Sequence, residues 1–148
     1  MRRESDLLQE TTAALFGAEG AEAAPGAAFW RLPDGALPSA LSGRLDEFVA
    51  RFAPLLDSLG DKLLPALLAA LAEPVGAALD NGNVGERLGW FDSIERWRVV
   101  RAWRNQMIRD YVEDRRILEA ALSAARDAVS MLRAVATRMS DEIDRRLR

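Results

Sequence analysis

The chain has 148 residues, a formal net charge of −3 and a hydrophobic fraction of 49%. That length suits one domain with a sizeable core, and the acidic balance excludes a generic polyanion binder, so any nucleic-acid contact has to come from a local patch. Cysteine and histidine are both absent, which removes disulfides, thiolate zinc sites, cysteine nucleophiles, Ser–His catalysis and the commonest transition-metal ligand.

The first residues, SDLLQETTAALFG, fit a short helix with Ser5 as its cap and Gly17 as its stop. Residues 18–37 are rich in Gly, Ala and Pro and read as a loop or linker. Phe29 and Trp30 interrupt it, and two adjacent aromatics there are expected to dock on the chain's own bundle or on a partner. From Pro38, a first-turn residue, Leu41, Leu45, Phe48, Phe52, Leu55, Leu59 and Leu63 form one apolar stripe at steps of three and four. Pro54 and Pro65 predict a kink or break at each. After Pro74, the glycines and asparagines Gly76, Asn81, Gly82, Asn83 and Gly85 predict a loop.

Residues 92–148 read as a motif helix followed by a long C-terminal helix. No Gly or Pro follows Gly89, yet one straight helix would be about 80 Å long, too long for this chain. A break is expected at Glu113-Asp114-Arg115-Arg116, with Asp92 and Glu95 capping the first part. In the last helix, Leu118, Leu122, Ala125, Val129, Leu132, Ala136, Met139 and Ile143 alternate steps of four and three, a bundle seam. No strand-like alternation is present, so the expected fold is all-α, an antiparallel bundle of four to five helices forming a single domain over 1–148. The most apolar stretch holds two prolines and a glutamate and is too short to span a bilayer, and no signal peptide is visible. A cytoplasmic protein without membrane contact, metal or cofactor is expected.

Seven arginines lie between Ile94 and Arg116, at 96, 98, 101, 104, 109, 115 and 116, against four acids, a local balance of +3. Arginine offers a planar fork of donors suited to phosphate, although high-GC coding produces the same bias in a chain whose one lysine is Lys62. Trp97, Arg101, Arg104, Ile108 and Tyr111 fall on one helical stripe. Arginines on a stripe that ought to be buried need partners. Either Arg101 and Arg104 pair with Asp46, Glu47 or Asp57, or they line a cleft that receives phosphate.

The stretch RNQMIRDY, from Arg104 to Tyr111, resembles the signature of the HEPN superfamily in its ribonuclease-toxin branch. There the pattern is arginine, often followed by asparagine, four intervening residues in all, then histidine, one residue and tyrosine. Arg104, Asn105 and Tyr111 match, and Arg109 stands at the histidine position. The preceding Trp97, the following Glu113-Asp114 and the long last helix fit the same branch, with Asp57, Lys62 and Gly89-Trp90 as weaker matches. The resemblance covers roughly 51–126.

It implies a HEPN-like antiparallel bundle, a homodimer with the two motifs facing each other, and metal-independent RNA cleavage. It also implies a toxin paired with a minimal nucleotidyltransferase antitoxin that attaches AMP to the motif tyrosine, here Tyr111. In that chemistry Arg104 offsets phosphorane charge, Asn105 positions a phosphate or base, Arg101 adds binding, and the histidine carries the proton. Arginine stays protonated, so Arg109 cannot carry it, and losing general acid–base catalysis costs about a hundred- to ten-thousand-fold. An impaired ribonuclease cleft that still binds RNA or nucleotide is therefore the leading expectation. Two others stand beside it: a non-catalytic nucleotide- or substrate-binding subunit of a minimal nucleotidyltransferase, and an unrelated helical interaction module working through the last helix.

Overall fold

The computed structural model describes residues 1–22, 35, 37–108 and 114–147, with residues 18–22 described by backbone alone. Every regular element among them is helical, and none is a strand. The all-α expectation holds. Phe29 and Trp30 lie outside the described residues.

Helix α1 runs Arg2–Glu22, with its backbone broken at Gly17 (φ 78°, ψ 160°). Glycine bears this left-handed φ without a Cβ clash, so the expected stop is a break, after which helical backbone continues to Glu22. Of the linker expected over 18–37, residues 18–22 are thus helical, and 23–34 and 36 lie outside the described residues. Ser5 is not a cap. It is buried inside the helix, where its Oγ accepts from Arg133 Nε at 3.2 Å.

Helix α2 (Ser39–Asp57) is preceded by Pro38 as its capping residue, runs on through Pro54 and passes without interruption into a π-helical segment, Ser58–Leu63, and then α3, Leu64–Ala70. The break expected at each proline is replaced by this widened turn between them. Pro65 has no N–H to donate and its ring crowds the carbonyl one turn back. A register shift to i→i+5 bonding accommodates both; Leu64 N–H, for instance, donates to the Leu59 carbonyl. The predicted stripe is the core face: Leu45, Phe48, Phe52, Leu55 and Leu59 are buried, with Leu41 and Leu63 packed at its edge.

The loop expected after Pro74 ends at Ala77. Helix α4 occupies Ala78–Arg87. Its glycines are required by close packing instead of by a turn. A Cβ on Gly82 would stand 2.6 Å from Ile94 Cδ1, and one on Gly85 would stand 2.8 Å from the Phe91 ring. Buried Asn81 fastens the preceding turn, its Oδ1 accepting from Gly76 N–H at 2.9 Å and its Nδ2 donating to the Gly76 carbonyl at 3.1 Å. Tertiary contacts thus override a weak local propensity.

Helix α5 (Ile94–Trp103) leads into a 3-10 turn, Arg104–Met107, and α6 fills Arg115–Arg146. Its seam is as read from sequence, buried from Leu118 through Met139 with Ile143 packed at the edge. Contacts fix the directions. Arg2 pairs with Asp141 and Asp144 while Arg133 pairs with Asp6, so α1 and α6 are antiparallel. Phe16 meets Phe48 edge-on at 5.3 Å, whereas Met1 and Glu4 lie beside Pro54 and Ser58, so α1 and α2 are antiparallel too. Counting α2, the π segment and α3 as one rod, the described residues form a five-rod bundle. No helix among them is long and apolar enough to cross a membrane.

Candidate functional site at the arginine turn

Helix α5 is capped by Ser93, whose Oγ accepts from Arg96 N–H at 3.3 Å, while Glu86 accepts from Ile94 N–H at 2.7 Å. The capping pair expected from Asp92 and Glu95 is not used: Asp92 pairs with Arg138 at 3.0 Å and Glu95 with Arg98 at 2.7 Å. The helix is anchored by Trp97, which is buried edge-on against Phe91 at 4.8 Å. From that anchor the next two turns carry Arg101 and Arg104 across the π segment.

Each arginine meets a carboxylate there. Arg104 donates from Nε and Nη2 to Asp57 at 2.7–3.1 Å, and Arg101 donates from Nη1 and Nη2 to Asp61 at 2.7 and 3.2 Å. Asp57 and Asp61 are four residues apart and Arg101 and Arg104 three apart, so antiparallel rods align them as two rungs of a ladder. Gly60 leaves room for the lower rung. A Cβ on it would stand 2.9 Å from Arg101 Nη1, so a larger residue there would push the guanidinium aside. Of the two arrangements open from sequence, pairing is the one present, with Asp57 for Arg104 and Asp61, not foreseen, for Arg101. The spacing of Asp57 and Asp61 was the signal for it.

The ladder is half-exposed: Arg104 and Asp57 each keep 31% of their side-chain surface. The hydrogen bond to Asp57 raises the Arg104 pKa, partial burial lowers it, and the charges of Asp57 and Asp61 raise it further. Arg104 is therefore a fixed cation. Asp57 occupies its Nε–Nη2 edge, and Nη1 donates to Asn105 Oδ1 at 3.3 Å, which ties the two motif residues into one unit. Two guanidiniums and two carboxylates sum to zero charge, so the ladder presents oriented donors without a strong positive field.

The helical stripe expected from Trp97 to Tyr111 holds only as far as Arg104. The 3-10 turn tightens the chain, and Ile108 is extended (φ −78°, ψ 100°). The α-helix therefore ends at Trp103, well before the break expected at 113–116. Within that stretch α6 begins at Arg115, with Asp114 as its cap and Asp114 Oδ1 accepting from Arg116 N–H at 2.8 Å. Arg109 and Tyr111 lie outside the described residues. Arg101, Arg104 and Asn105 are brought together. Among the described residues no three carboxylates cluster in a way that could hold a metal ion. No protein-family model matches this chain, and neither a curated protein nor a solved structure matches it.

Proposed function

We propose that this chain is a HEPN-type toxin subunit with a ribonuclease-like cleft. It binds RNA or nucleotide through Arg104 and Asn105 and cleaves weakly or not at all, because Arg109 replaces the proton-carrying histidine. It works as a homodimer and pairs with a minimal nucleotidyltransferase antitoxin whose target is Tyr111. The observation that supports this reading is the Arg104–Asn105 unit. It sits where a bundle helix ends, held by Asp57, with the guanidinium partly open to solvent. A preset guanidinium beside an amide suits a phosphate and loses little rotamer freedom on binding.

The test is Arg109→His, compared with the parent chain for cleavage of mixed tRNA and messenger RNA and for growth arrest on expression. Arg104→Ala in the histidine background is the control. Activity that appears with histidine and vanishes with Arg104→Ala supports a disarmed ribonuclease. Silence in all three refutes a latent cleavage site. The second reading, a non-catalytic binding subunit of a nucleotidyltransferase, is favoured by the charge compensation of Arg101 and Arg104, which suits recognition more than stabilisation of a dianionic transition state. It predicts nucleotide binding without cleavage in every variant.

A further inference from the structure

The apolar seam of α6 is used up in the core, but α6 carries a second stripe. Ile117, Ala120, Ala124, Ala128 and Met131 recur at steps of three and four, on one face of the helix. Helix α5 covers this face only in part. Val100 and Ala128 are buried where the two helices meet, whereas Val99 is 56% exposed, Ile117 is 42% exposed, Ala120 is exposed, and Ala124 and Met131 are half-buried. A groove of about 260 Å³ lies between the helices, with Val99 and Val100 on one wall and Ala124, Ala128 and Met131 on the other. Val99 is two residues from both Trp97 and Arg101, so it lies on the opposite side of α5 from the arginine ladder. The groove therefore stands independently of the ribonuclease reading.

Two unpaired cations flank the apolar face. Asp92 pairs with Arg138, so α5 starts beside the C-terminal half of α6 and Arg96 lines the groove at its Met131 end. Arg116 precedes Ile117 at the other end. The backbone N–H groups of both arginines serve the helix caps, but neither guanidinium makes a hydrogen bond or ion pair among the described residues. The acids nearby are committed: Asp127, in the groove, pairs with Arg126, and Glu95 pairs with Arg98. A chain of net charge −3 thus leaves two positive charges beside an uncovered apolar face. From Arg116 to Met131 that face is about 22 Å long, four helical turns.

We infer that this face of α5 and α6 docks an acidic amphipathic helix of a partner protein. Apolar side chains at i, i+3 or i+4, and i+7 of that helix fill the groove, where the alanines leave hollows between the ridges of Val99, Ile117 and Met131. Carboxylates on its flanks pair with Arg96 and Arg116, whose planar forks suit them. A second copy of this chain fits less well. It offers the same two cations and no uncommitted acid on this face, so self-pairing leaves both arginines without a partner.

Fluorescence anisotropy at low ionic strength tests this with the full chain and a labelled peptide of about 16 residues, long enough for the four turns. The peptide carries leucines at steps of three and four and glutamates on both flanks. Saturable binding that weakens as salt is added is expected, and a version with lysine in place of every glutamate is expected to bind about tenfold more weakly or worse. Val99→Asp places a charge at an exposed position with little cost to the fold and is expected to lower affinity about tenfold. Arg96→Glu combined with Arg116→Glu is expected to reverse the preference, so that the lysine peptide binds better than the glutamate peptide. Circular dichroism checks that both variants are folded. Absence of saturable binding, or a glutamate peptide that binds both variants as it binds the parent, overturns the inference. Sedimentation of the parent chain as a dimer that Val99→Asp dissociates assigns the face to a second copy and overturns it as well.

Discussion

Replacing Asp57 by asparagine keeps the shape of the ladder and removes its charge. Arg104 makes its bonds to Asp57 at 2.7–3.1 Å. Charge-assisted hydrogen bonds contribute about 1.5–3 kcal/mol when shielded, and exposed ion pairs about 0.2–1 kcal/mol. With 31% of each side chain exposed, the expected loss lies between, at about 1–2 kcal/mol. For a chain of this size that lowers Tm by about 2–8 °C. Urea and thermal unfolding followed by circular dichroism measure it. The specific contribution comes from the cycle of Asp57→Ala, Arg104→Ala and the double variant, with an expected coupling of about 1 kcal/mol. Glu47→Ala, at an exposed carboxylate on the same helix, is expected to stay within about 0.5 kcal/mol of the parent. A coupling below about 0.3 kcal/mol, or a Glu47 variant as costly as the Asp57 variant, would refute the assignment of Asp57 as the partner that holds Arg104.

Three other outcomes follow from the packing and the charges. Gly85→Ala gains about 1 kcal/mol of helix propensity but forces a Cβ to 2.8 Å from Phe91 and 3.2 Å from Leu64, so a net loss of about 1–2 kcal/mol is expected in thermal melts, relieved when Phe91→Leu is added. Phe48→Ala removes a fully buried ring that touches Phe16 at 5.3 Å and Phe52 at 5.5 Å, with an expected loss of about 3–5 kcal/mol and faster hydrogen exchange in α1. Stability is expected to be flat between about pH 6 and 7, checked by melts across that range. No histidine or cysteine is present, and the resolved shifts move away from neutrality. Arg104 is raised by its bond to Asp57, so its contribution is complete below the ordinary arginine range and lost only in strong alkali. Glu4 is lowered by the hydrogen bond from the terminal amine, so its contribution is present above the ordinary glutamate range and lost as pH falls through its depressed value. A transition near neutrality would contradict this.

Residue spacing was enough to read the apolar seam of α6 and the core stripe of α2, because a 3.6-residue period projects directly onto a buried face. It was also enough to bring out Arg101 and Arg104 on one face, with Asn105 marked only by the resemblance of RNQMIRDY, and the absence of histidine settles by composition that no imidazole carries protons anywhere in the chain. Helix α4 was not legible. Gly82 and Gly85 signal a turn locally, and only the proximity of Ile94 and Phe91 makes them helix-packing residues. The Trp97–Tyr111 stripe failed past Arg104 for a similar reason, since periodicity carries no mark of where an α-helix tightens into a 3-10 turn. Whether Arg104 faces phosphate or a carboxylate depends on a residue 47 positions away. That choice rests on the π segment, which sets the register of Asp57 and Asp61 against α5. Local pattern therefore determined the inner faces of α2 and α6, while tertiary packing decided that α4 is a helix and which charges meet, because ion pairing across rods depends on register and not on period.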